Sequence, residues 1–271
     1  WSSQFGAERA ANIARANNEL PKIAFRKTPK TDTADIASLI SAGEAQPSAV
    51  VDGAYVATAM NDGLRTRELG GQIYFQDEAS QLVAAIAAKF VKARFLDLCA
   101  APGSKTTAIA MAVPNAAVFA GDLSARRTKT LLELLQRQGT KNVCVARYDA
   151  ERPLPFGTVF DAILLDAPCS GTGTIRHNPE IRYRVKEDEL ERLRTRQLVM
   201  LRNAAECLMP DGHLIYSTCS LEREENEDVI AEFLGGSDGF EIVPVNGQER
   251  FIRDDGTLRT FADRDGVDGF F

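Results

Sequence analysis

The sequence predicts an α/β fold in which helices cover both faces of a parallel sheet. From about residue 77 onwards, short apolar segments alternate with longer amphipathic ones, the pattern of parallel strands joined by helices. Proline, asparagine and glycine mark several of the boundaries between these segments. The 271 residues, 44% of them hydrophobic, are enough for one large domain and a smaller companion.

Residues 74–271 are predicted to form the large domain, with five strands and four helices. The strands are 93–98, 117–121, 142–146, 161–165 and 213–217. The helices are 105–112, 124–138, 187–208 and 223–233. The tail from Phe240 onwards is predicted to add one or two strands around a loop rich in aspartate and glycine.

Residues 1–73 differ from the rest of the chain in their sequence pattern and are predicted to form a separate, small α/β subdomain. Prolines at 21, 29 and 47 interrupt them, and 23–26 and 49–57 have the composition of short strands. The chain begins at Trp1 rather than Met and carries no signal-like segment, which predicts a fragment of a longer protein.

The composition excludes several classes of protein. No apolar run approaches the roughly 20 residues of a membrane span. Five widely spaced cysteines without a C-x-x-C pair indicate neither a disulfide framework nor a metal site. Reduced thiols are typical of the cytosol, so we expect a cytoplasmic protein in which a cysteine is free to react. Cys144 and Cys207 are expected to be buried and inert.

Basic residues are candidates for contact with nucleic acid only in local patches, because the net charge is −6 and the pI near 5.2. The first patch comprises Arg9, Arg15, Lys22, Arg26, Lys27 and Lys30. The second comprises Arg176, Arg182, Arg184 and Lys186. On charge alone, each patch is equally compatible with an ordinary solvated surface.

A turn of small residues follows the first strand of the large domain and precedes a helix. It consists of Cys99, Ala100, Ala101, Pro102, Gly103, Ser104 and Lys105. Small side chains let the backbone approach a cofactor closely, and the helix N-terminus offers free amide donors. A purely structural turn is the alternative. A P-loop is disfavoured because Leu98 stands where that motif needs glycine, and Ser104 separates Gly103 from Lys105.

Two carboxylates follow the next two strands. Asp122 can accept the hydroxyls of a ribose, although a helix N-cap is its alternative role. Asp149 follows the third strand, where it would lie near an adenine. Together with the glycine turn, these acids predict an adenosine-containing cofactor.

Two cysteines follow the fourth and fifth strands and therefore lie at the same edge of the predicted sheet. Cys169 lies in the segment 166–173, and Cys219 in the segment 216–220. A thiolate that adds to carbon 6 of a cytosine makes carbon 5 nucleophilic enough to accept a methyl group. A second thiol or another base can then remove the carbon 5 proton.

These motifs resemble the Sun (Fmu, NOL/NOP/Sun) family of RNA cytosine-5 methyltransferases. The similarity covers nearly the whole chain and is carried by 76–80, 98–106, 166–179, 216–227 and 268–271. It implies a Rossmann-like methyltransferase core, S-adenosylmethionine as cofactor and RNA as substrate, with residues 1–73 as an RNA-binding subdomain. The segment 174–182 resembles the bacterial branch that modifies small-subunit (16S) ribosomal RNA.

The resemblance also implies roles for individual residues. Cys219 becomes the nucleophile and Cys169 the residue that assists product release. Asp166 faces the cytosine, where it either accepts a hydrogen bond from the exocyclic amine or holds a proton at the ring nitrogen. Contacts with the cofactor fall on 99–105, Asp122, Asp149 and Asp166. Ser104 replaces the second glycine that is common in the family.

Two other functions remain open at this stage. The first is a methyltransferase that acts on tRNA or another nucleic acid. The second is a noncatalytic RNA-binding assembly factor that keeps the fold, because fold alone does not determine function. The sequence does not identify the target nucleotide, or distinguish free RNA from an assembling particle.

Overall fold

The computed structural model describes all 271 residues and contains two separate sheets. The strands are β1 Ile23–Lys27, β2 Ala45–Pro47, β3 Ala54–Ala57, β4 Ile73–Phe75, β5 Arg94–Asp97, β6 Ala117–Asp122, β7 Val143–Arg147, β8 Phe160–Asp166 and β9 Leu208–Ser217. The helices are α1 Ser2–Phe5, α2 Ala7–Ala16, α3 Thr33–Ser41, α4 Asp62–Leu69, α5 Glu78–Lys89, α6 Ser104–Ala112, α7 Ala125–Gln138, α8 Glu187–Ala205, α9 Glu227–Gly235 and α10 Ala262–Asp265. None of the helices has the length and apolar character that a membrane crossing requires.

The larger sheet confirms the predicted parallel α/β fold. Its strands lie in the order β7-β6-β5-β8-β9, and every neighbouring pair is parallel. Leu96 and Ile163 face a core formed with α8 and α9, whereas Phe95 and Leu164 on the same strands face α5 and α6. Helices therefore bury both faces of the sheet, as expected for strands that are apolar along their whole length.

Several element boundaries differ from the prediction. The helix expected at 187–208 ends at Ala205, and the one expected at 223–233 is a 3-10 turn followed by α9. β9 begins at Leu208 because the predicted turn at 210–212 is a bulge within the strand, where Asp211 has a φ of 60°. The buried helix α5 has no counterpart among the predicted elements.

The prediction of further strands after Phe240 is wrong. This tail contains a single isolated bridge between Ile252 and Leu258, together with a 3-10 turn and the short helix α10. It is held by side chains instead, because Phe251 and Phe261 are buried against other parts of the molecule. A loop rich in aspartate and glycine favours turns, which prevents a long strand pairing.

The smaller sheet is antiparallel, in the order β2-β3-β1-β4, and packs against α3 and α4. It extends to Phe75, two residues past the boundary predicted after residue 73. The first two helices do not pack on this sheet. Phe5 contacts Phe261 edge-to-face at 5.6 Å, and Trp1 donates a hydrogen bond of 2.9 Å to Glu222, so these helices lie on the larger body.

Arg26 joins the small sheet to α6 and is buried, so it does not belong to a basic surface patch as predicted. From β1 it donates to Gln76 at 2.9 Å, to the carbonyl of Ser104 at 2.9 Å and to Thr107 Oγ1 at 2.6 Å. Burial lowers the pKa of Arg26 to about 10, which leaves it charged at neutral pH. The small sheet is therefore anchored to the first turn of α6.

An apolar cavity of about 810 Å³ lies along the outer edge of β9, between this strand and residues 240–245. Neither Cys169 nor Cys219 contributes to its wall. The predicted reactive residues lie instead where the strands end.

Candidate active site

The carboxyl ends of the five parallel strands bring the predicted site residues to one edge of the sheet. Asp122 ends β6 and Asp166 ends β8. Asp97, which was not among the predicted residues, ends β5 at the same edge. Asp149 follows β7 by two residues and Cys219 follows β9 by two residues. Open parallel sheets bind ligands at the edge formed by the carboxyl ends of their strands, so these residues lie where a ligand is expected to bind.

The two cysteines expected to react are in contact. The sulfur atoms of Cys169 and Cys219 lie 3.3 Å apart, and both side chains are partly buried. Backbone hydrogen bonds hold their loops together, from Ala167 to the carbonyl of Ser217 at 2.8 Å and from Gly173 to that of Cys219 at 2.9 Å. The hydrogen bond with Cys219, and then burial, raise the pKa of Cys169 well above its usual value. Cys169 therefore stays a thiol and can donate its proton towards the other sulfur.

Lys105 and Asp166 form a charged pair beside the cysteines. Lys105 Nζ lies 2.7 Å from Asp166 Oδ2 and 5.0 Å from the ring centre of Phe270. Burial alone would lower the pKa of Lys105, but the carboxylate of Asp166 raises it above its usual value. The site thus keeps a buried cation that interacts electrostatically with Cys219. The sequence placed Lys105 only among the cofactor contacts.

The turn of small residues after β5 is shaped by its glycine. Gly103 has a φ of 108°, and a Cβ atom there would lie 2.4 Å from Leu131 Cδ1 on α7. Only glycine adopts this conformation at so close an approach. Ala100 donates to the carbonyl of Gly121 at 2.8 Å, which fixes the turn against β6. No side chain caps the N-terminus of α6, so its first amides are free to bind a ligand.

The two acids that follow β6 and β7 differ in their surroundings. Asp122 is buried; its Oδ1 accepts from the amide of Ser124 at 2.9 Å, and its Oδ2 lies 3.3 Å from Arg127 Nη1. Ser124, and not Asp122, is the N-cap of α7. Asp149 is half-buried and lies 3.4 Å from Arg152 Nε. Asp122 thus has the fixed position that recognition of a ribose needs, whereas Asp149 lies further out along the same edge.

Arg176, predicted to belong to a surface patch, lies in a buried ion-pair network. Its guanidinium donates to Asp268 at 2.7 Å and to Asp77 at 3.0 Å. His177 Nδ1 lies 3.0 Å from Asp268, and this hydrogen bond raises the pKa of His177. The ligand atoms of Asp77, His177 and Asp268 lie within 4.8 Å of one another, but both carboxylates already pair with the guanidinium of Arg176. The network therefore fastens the loop after Cys169 to both ends of the large domain.

The rest of the second patch is exposed at the rim of the site. Arg182, Arg184 and Lys186 are exposed, and Tyr183 between the two arginines exposes 82% of its surface. This segment reaches the cysteine pair through Gly171, where an added Cβ would lie 2.9 Å from Ile181 Cδ1 and 4.0 Å from the Cys219 sulfur. The basic, aromatic surface is thus continuous with the reactive centre.

Cys144 differs from the prediction that it is buried. It is exposed, because it lies on the edge strand β7. Cys207 is buried, as predicted, and lies in the core beneath β8 and α8. Neither cysteine is near the strand ends that carry the site.

Comparison with known proteins decides the family. A sequence profile described as 16S rRNA methyltransferase RsmB/F matches residues 86–271. The chain belongs to this family. It is 35% identical over 223 residues to ribosomal RNA small subunit methyltransferase F of Escherichia fergusonii, covering 77% of this chain and 46% of that protein. It is 33% identical over 291 residues to the probable ribosomal RNA small subunit methyltransferase B of Bacillus subtilis, covering 100% of this chain and 63% of that protein.

Solved structures confirm the Rossmann-like methyltransferase core. A methyltransferase homolog protein from Pyrococcus horikoshii has a TM-score of 0.82 and 28% identity, covering 100% of this chain and 90% of the other. The chain spans about half to two thirds of the length of the curated RsmB/F relatives named above. The cofactor of this RsmB/F chain is S-adenosylmethionine.

The residues at the strand ends fit S-adenosylmethionine chemically. Asp97 Oδ1 is buried without a hydrogen-bond partner, although Thr106 donates to the other oxygen at 2.7 Å. A buried, unpaired carboxylate oxygen suits a positively charged ligand group such as an ammonium. Asp122 offers acceptors for ribose hydroxyls, and the free amides of α6 offer donors for a carboxylate. Together they match the charges and polar groups of this cofactor.

Proposed function

We propose that this chain methylates carbon 5 of a cytosine in RNA, in particular in 16S ribosomal RNA, through a covalent adduct with Cys219. The observation that carries the proposal is the contact of two thiols beside a buried Lys–Asp pair, at the edge where open parallel sheets bind their ligands. Membership of the RsmB/F family supports RNA methylation, and the cysteine geometry supports the cytosine chemistry.

Cys219 acts as the nucleophile. Its sulfur, as a thiolate, forms a bond to carbon 6 of the cytosine, and the electrons of the carbon 5–carbon 6 double bond move to carbon 5. Lys105 favours the thiolate by its positive charge, and the Cys169 thiol favours it by a hydrogen bond at 3.3 Å. Bound S-adenosylmethionine supplies the electrophilic methyl group that carbon 5 then accepts.

Cys169 assists the release of the product. After methylation, carbon 5 still carries its original proton, and a base must remove it before the double bond can re-form and expel Cys219. The sulfur of Cys169 lies 3.3 Å from the Cys219 sulfur, which is bonded to carbon 6 of the cytosine. Carbon 5 is the ring atom next to carbon 6, so the Cys169 side chain can reach it. Cys169 first releases its thiol proton to solvent, which is the one proton that the overall methylation sets free. As a thiolate it then accepts the carbon 5 proton, directly or through water, Cys219 leaves as a thiolate, and Cys169 is again the thiol that its surroundings favour.

Asp166 orients the base. Its carboxylate pairs with Lys105 and is less buried than the lysine, with 29% of its side chain exposed. It can therefore accept a hydrogen bond from the exocyclic amine of a cytosine while keeping its contact with Lys105. This bond would select cytosine over uracil, which presents a carbonyl oxygen at the same position.

The surface around Tyr183 receives the RNA. Arg182 and Arg184 supply positive charge for phosphates, and the exposed aromatic ring between them is available for stacking on a base. Unpaired bases in loops are the usual targets of such surfaces, and a cytosine must leave its stack to reach Cys219. Residues 1–73 are proposed to add RNA contacts through their exposed basic residues.

A denaturing gel tests the covalent mechanism. Wild-type protein and the variants Cys219→Ala, Cys169→Ala and Cys144→Ala are incubated with labelled 16S ribosomal RNA and S-adenosylmethionine. We expect a protein–RNA adduct to accumulate with Cys169→Ala and to be absent with Cys219→Ala. Cys144→Ala is the matched control, because that cysteine is exposed and distant from the strand ends, and it should behave as the wild type.

The same reaction distinguishes the competing functions. Nucleoside analysis of the RNA should find 5-methylcytosine, and parallel reactions with tRNA and DNA should give little or none. Adduct formation with Cys219→Ala but not with Cys169→Ala would exchange the two roles. Methylation by both variants would refute the covalent route, and cofactor binding without turnover on any RNA would indicate a noncatalytic assembly factor.

A further inference from the structure

A buried carboxylate that the mechanism does not use lies behind both cysteines. Glu225 is completely buried, and the groups that donate hydrogen bonds to it are all neutral. Burying a carboxyl group away from any cation carries a considerable desolvation penalty, so a role for Glu225 has to be sought in the contacts it makes.

The two oxygens of Glu225 connect the loops that carry the cysteines. Oε1 accepts from the amide of Ser170 at 2.9 Å. Oε2 accepts from the hydroxyl of Ser220 at 2.6 Å and from the hydroxyl of Ser170. Ser170 directly follows Cys169, and Ser220 directly follows Cys219. A single carboxylate thus joins the residues next to the two sulfurs.

Neighbouring side chains complete the arrangement on the other side of each cysteine. Gln197 on α8 donates to Glu225 at 3.0 Å and to the carbonyl of Pro168 at 2.9 Å. Asn226 donates to the carbonyl of Ser220 at 2.9 Å and accepts from Thr218 Oγ1 at 2.6 Å. Each cysteine is therefore held through both of its chain neighbours, and Glu225 is the only one of these three side chains that contacts both loops.

We propose that Glu225 is a positioning residue that sets the distance between the two sulfurs. The proposal stands on the hydrogen bonds that join Glu225 to both cysteine loops. Its consequence for methylation rests on the proposed function.

Disulfide formation measures the sulfur distance without RNA or cofactor. Diamide oxidises two adjacent thiols to a disulfide by taking up both hydrogens, and peptide mass spectrometry identifies the Cys169–Cys219 bond. Glu225→Asp keeps the charge but is one methylene shorter, so it cannot reach both loops. We expect it to slow this oxidation by about tenfold or more, since small displacements have large kinetic effects.

Glu224→Gln is the matched control for this measurement. Glu224 is exposed in the same turn, and its substitution should leave the oxidation rate at the wild-type value. Thermal unfolding establishes that each variant is folded. An unchanged oxidation rate in folded Glu225→Asp would overturn the proposal.

Glu225→Gln keeps the length of the side chain, and its amide oxygen can still accept hydrogen bonds. The disulfide should therefore form at nearly the wild-type rate. An oxidation as slow as that of Glu225→Asp would refute the argument that side-chain length sets the sulfur distance. A wild-type protein that forms the disulfide but never methylates RNA would refute the proposed function and leave the positioning role intact.

Discussion

Lys105 Nζ lies 2.7 Å from Asp166 Oδ2, and this contact joins the first turn of α6 to the last residue of β8. It is the only charged pair whose two members are both predicted to bind cofactor or substrate. The strand before α6 is β5, and β5 and β8 are neighbours in the sheet. The cofactor loop and the cysteine loop are therefore coupled electrostatically as well as by the sheet.

A double-mutant cycle measures this coupling. Lys105→Met leaves the carboxylate without its cation, and Asp166→Asn leaves a buried ammonium without its anion. The double variant should be destabilised by less than the sum of the single variants, with a coupling free energy of about 1–2 kcal/mol because Asp166 is partly exposed. Urea unfolding at neutral pH provides the values. Strict additivity would show that the pair does not interact energetically.

The pH dependence of stability should reveal Asp97. Burial raises the pKa of its carboxyl from 3.8 to about 7, so the folded state holds a proton that the unfolded state releases. The associated stability is fully present below about pH 4 and is lost as the pH rises through about 7, at about 1.4 kcal/mol for each pH unit that separates the folded from the unfolded pKa. Asp97→Asn removes this titration.

The stability difference between wild type and Asp97→Asn should therefore move by a few kcal/mol, in favour of the variant, as the pH rises from about 4 to about 8. Urea unfolding across this range tests it. A constant difference would place the pKa of Asp97 at its ordinary value. Bound cofactor should reduce the effect, since an ammonium favours the charged carboxylate.

The glycine of the cofactor turn should not tolerate a side chain. In Gly103→Ala, the new Cβ would lie 2.4 Å from Leu131, and the φ of 108° would be strained for any L residue. We expect a loss of about 1–3 kcal/mol and weaker cofactor binding. Adding Leu131→Ala removes the clash but not the backbone strain, so it should restore cofactor binding only in part. Full restoration, measured by calorimetry, would attribute the whole effect to the clash.

Salt dependence should distinguish the exposed from the buried arginines. Arg182→Ala with Arg184→Ala should weaken RNA binding and lower the slope of log K against log salt by about 0.7 for each phosphate that the protein no longer neutralises. Arg176→Lys should instead reduce thermal stability, because a lysine cannot reproduce the fork of hydrogen bonds to Asp268 and Asp77. Equal salt slopes for the wild type and the double variant would exclude this surface as the RNA-binding face.

The sequence predicted the place of the site better than the contacts within it. Strand patterns alone put Cys169 and Cys219 at the same edge, because parallel strands end together. The sulfur contact required β8 and β9 to be neighbours, which the chain order suggests but periodicity cannot prove. The buried helix α5 was missed since eight of its twelve residues are buried, leaving only a weak amphipathic pattern.

Long-range polar contacts account for most of the remaining differences between the predicted and the observed positions of charged residues. Arg26 and Arg176 look like surface charges in the sequence, yet each meets partners that are distant along the chain, Thr107 and Asp268 respectively. Glu225 has its partners 5, 28 and 55 residues away. No local pattern encodes such pairings, so composition and spacing assign these groups to the surface by default.

The bridge that Arg26 builds between β1 and the start of α6 has a consequence for target choice. Arg26 bonds the small sheet to the first turn of α6 and so holds the two at a set separation. On the proposed function, in which residues 1–73 bind RNA, this separation selects the cytosine that lies a fixed distance from the RNA feature that those residues recognise. The nucleotides next to the target cytosine then matter less for selection than this distance.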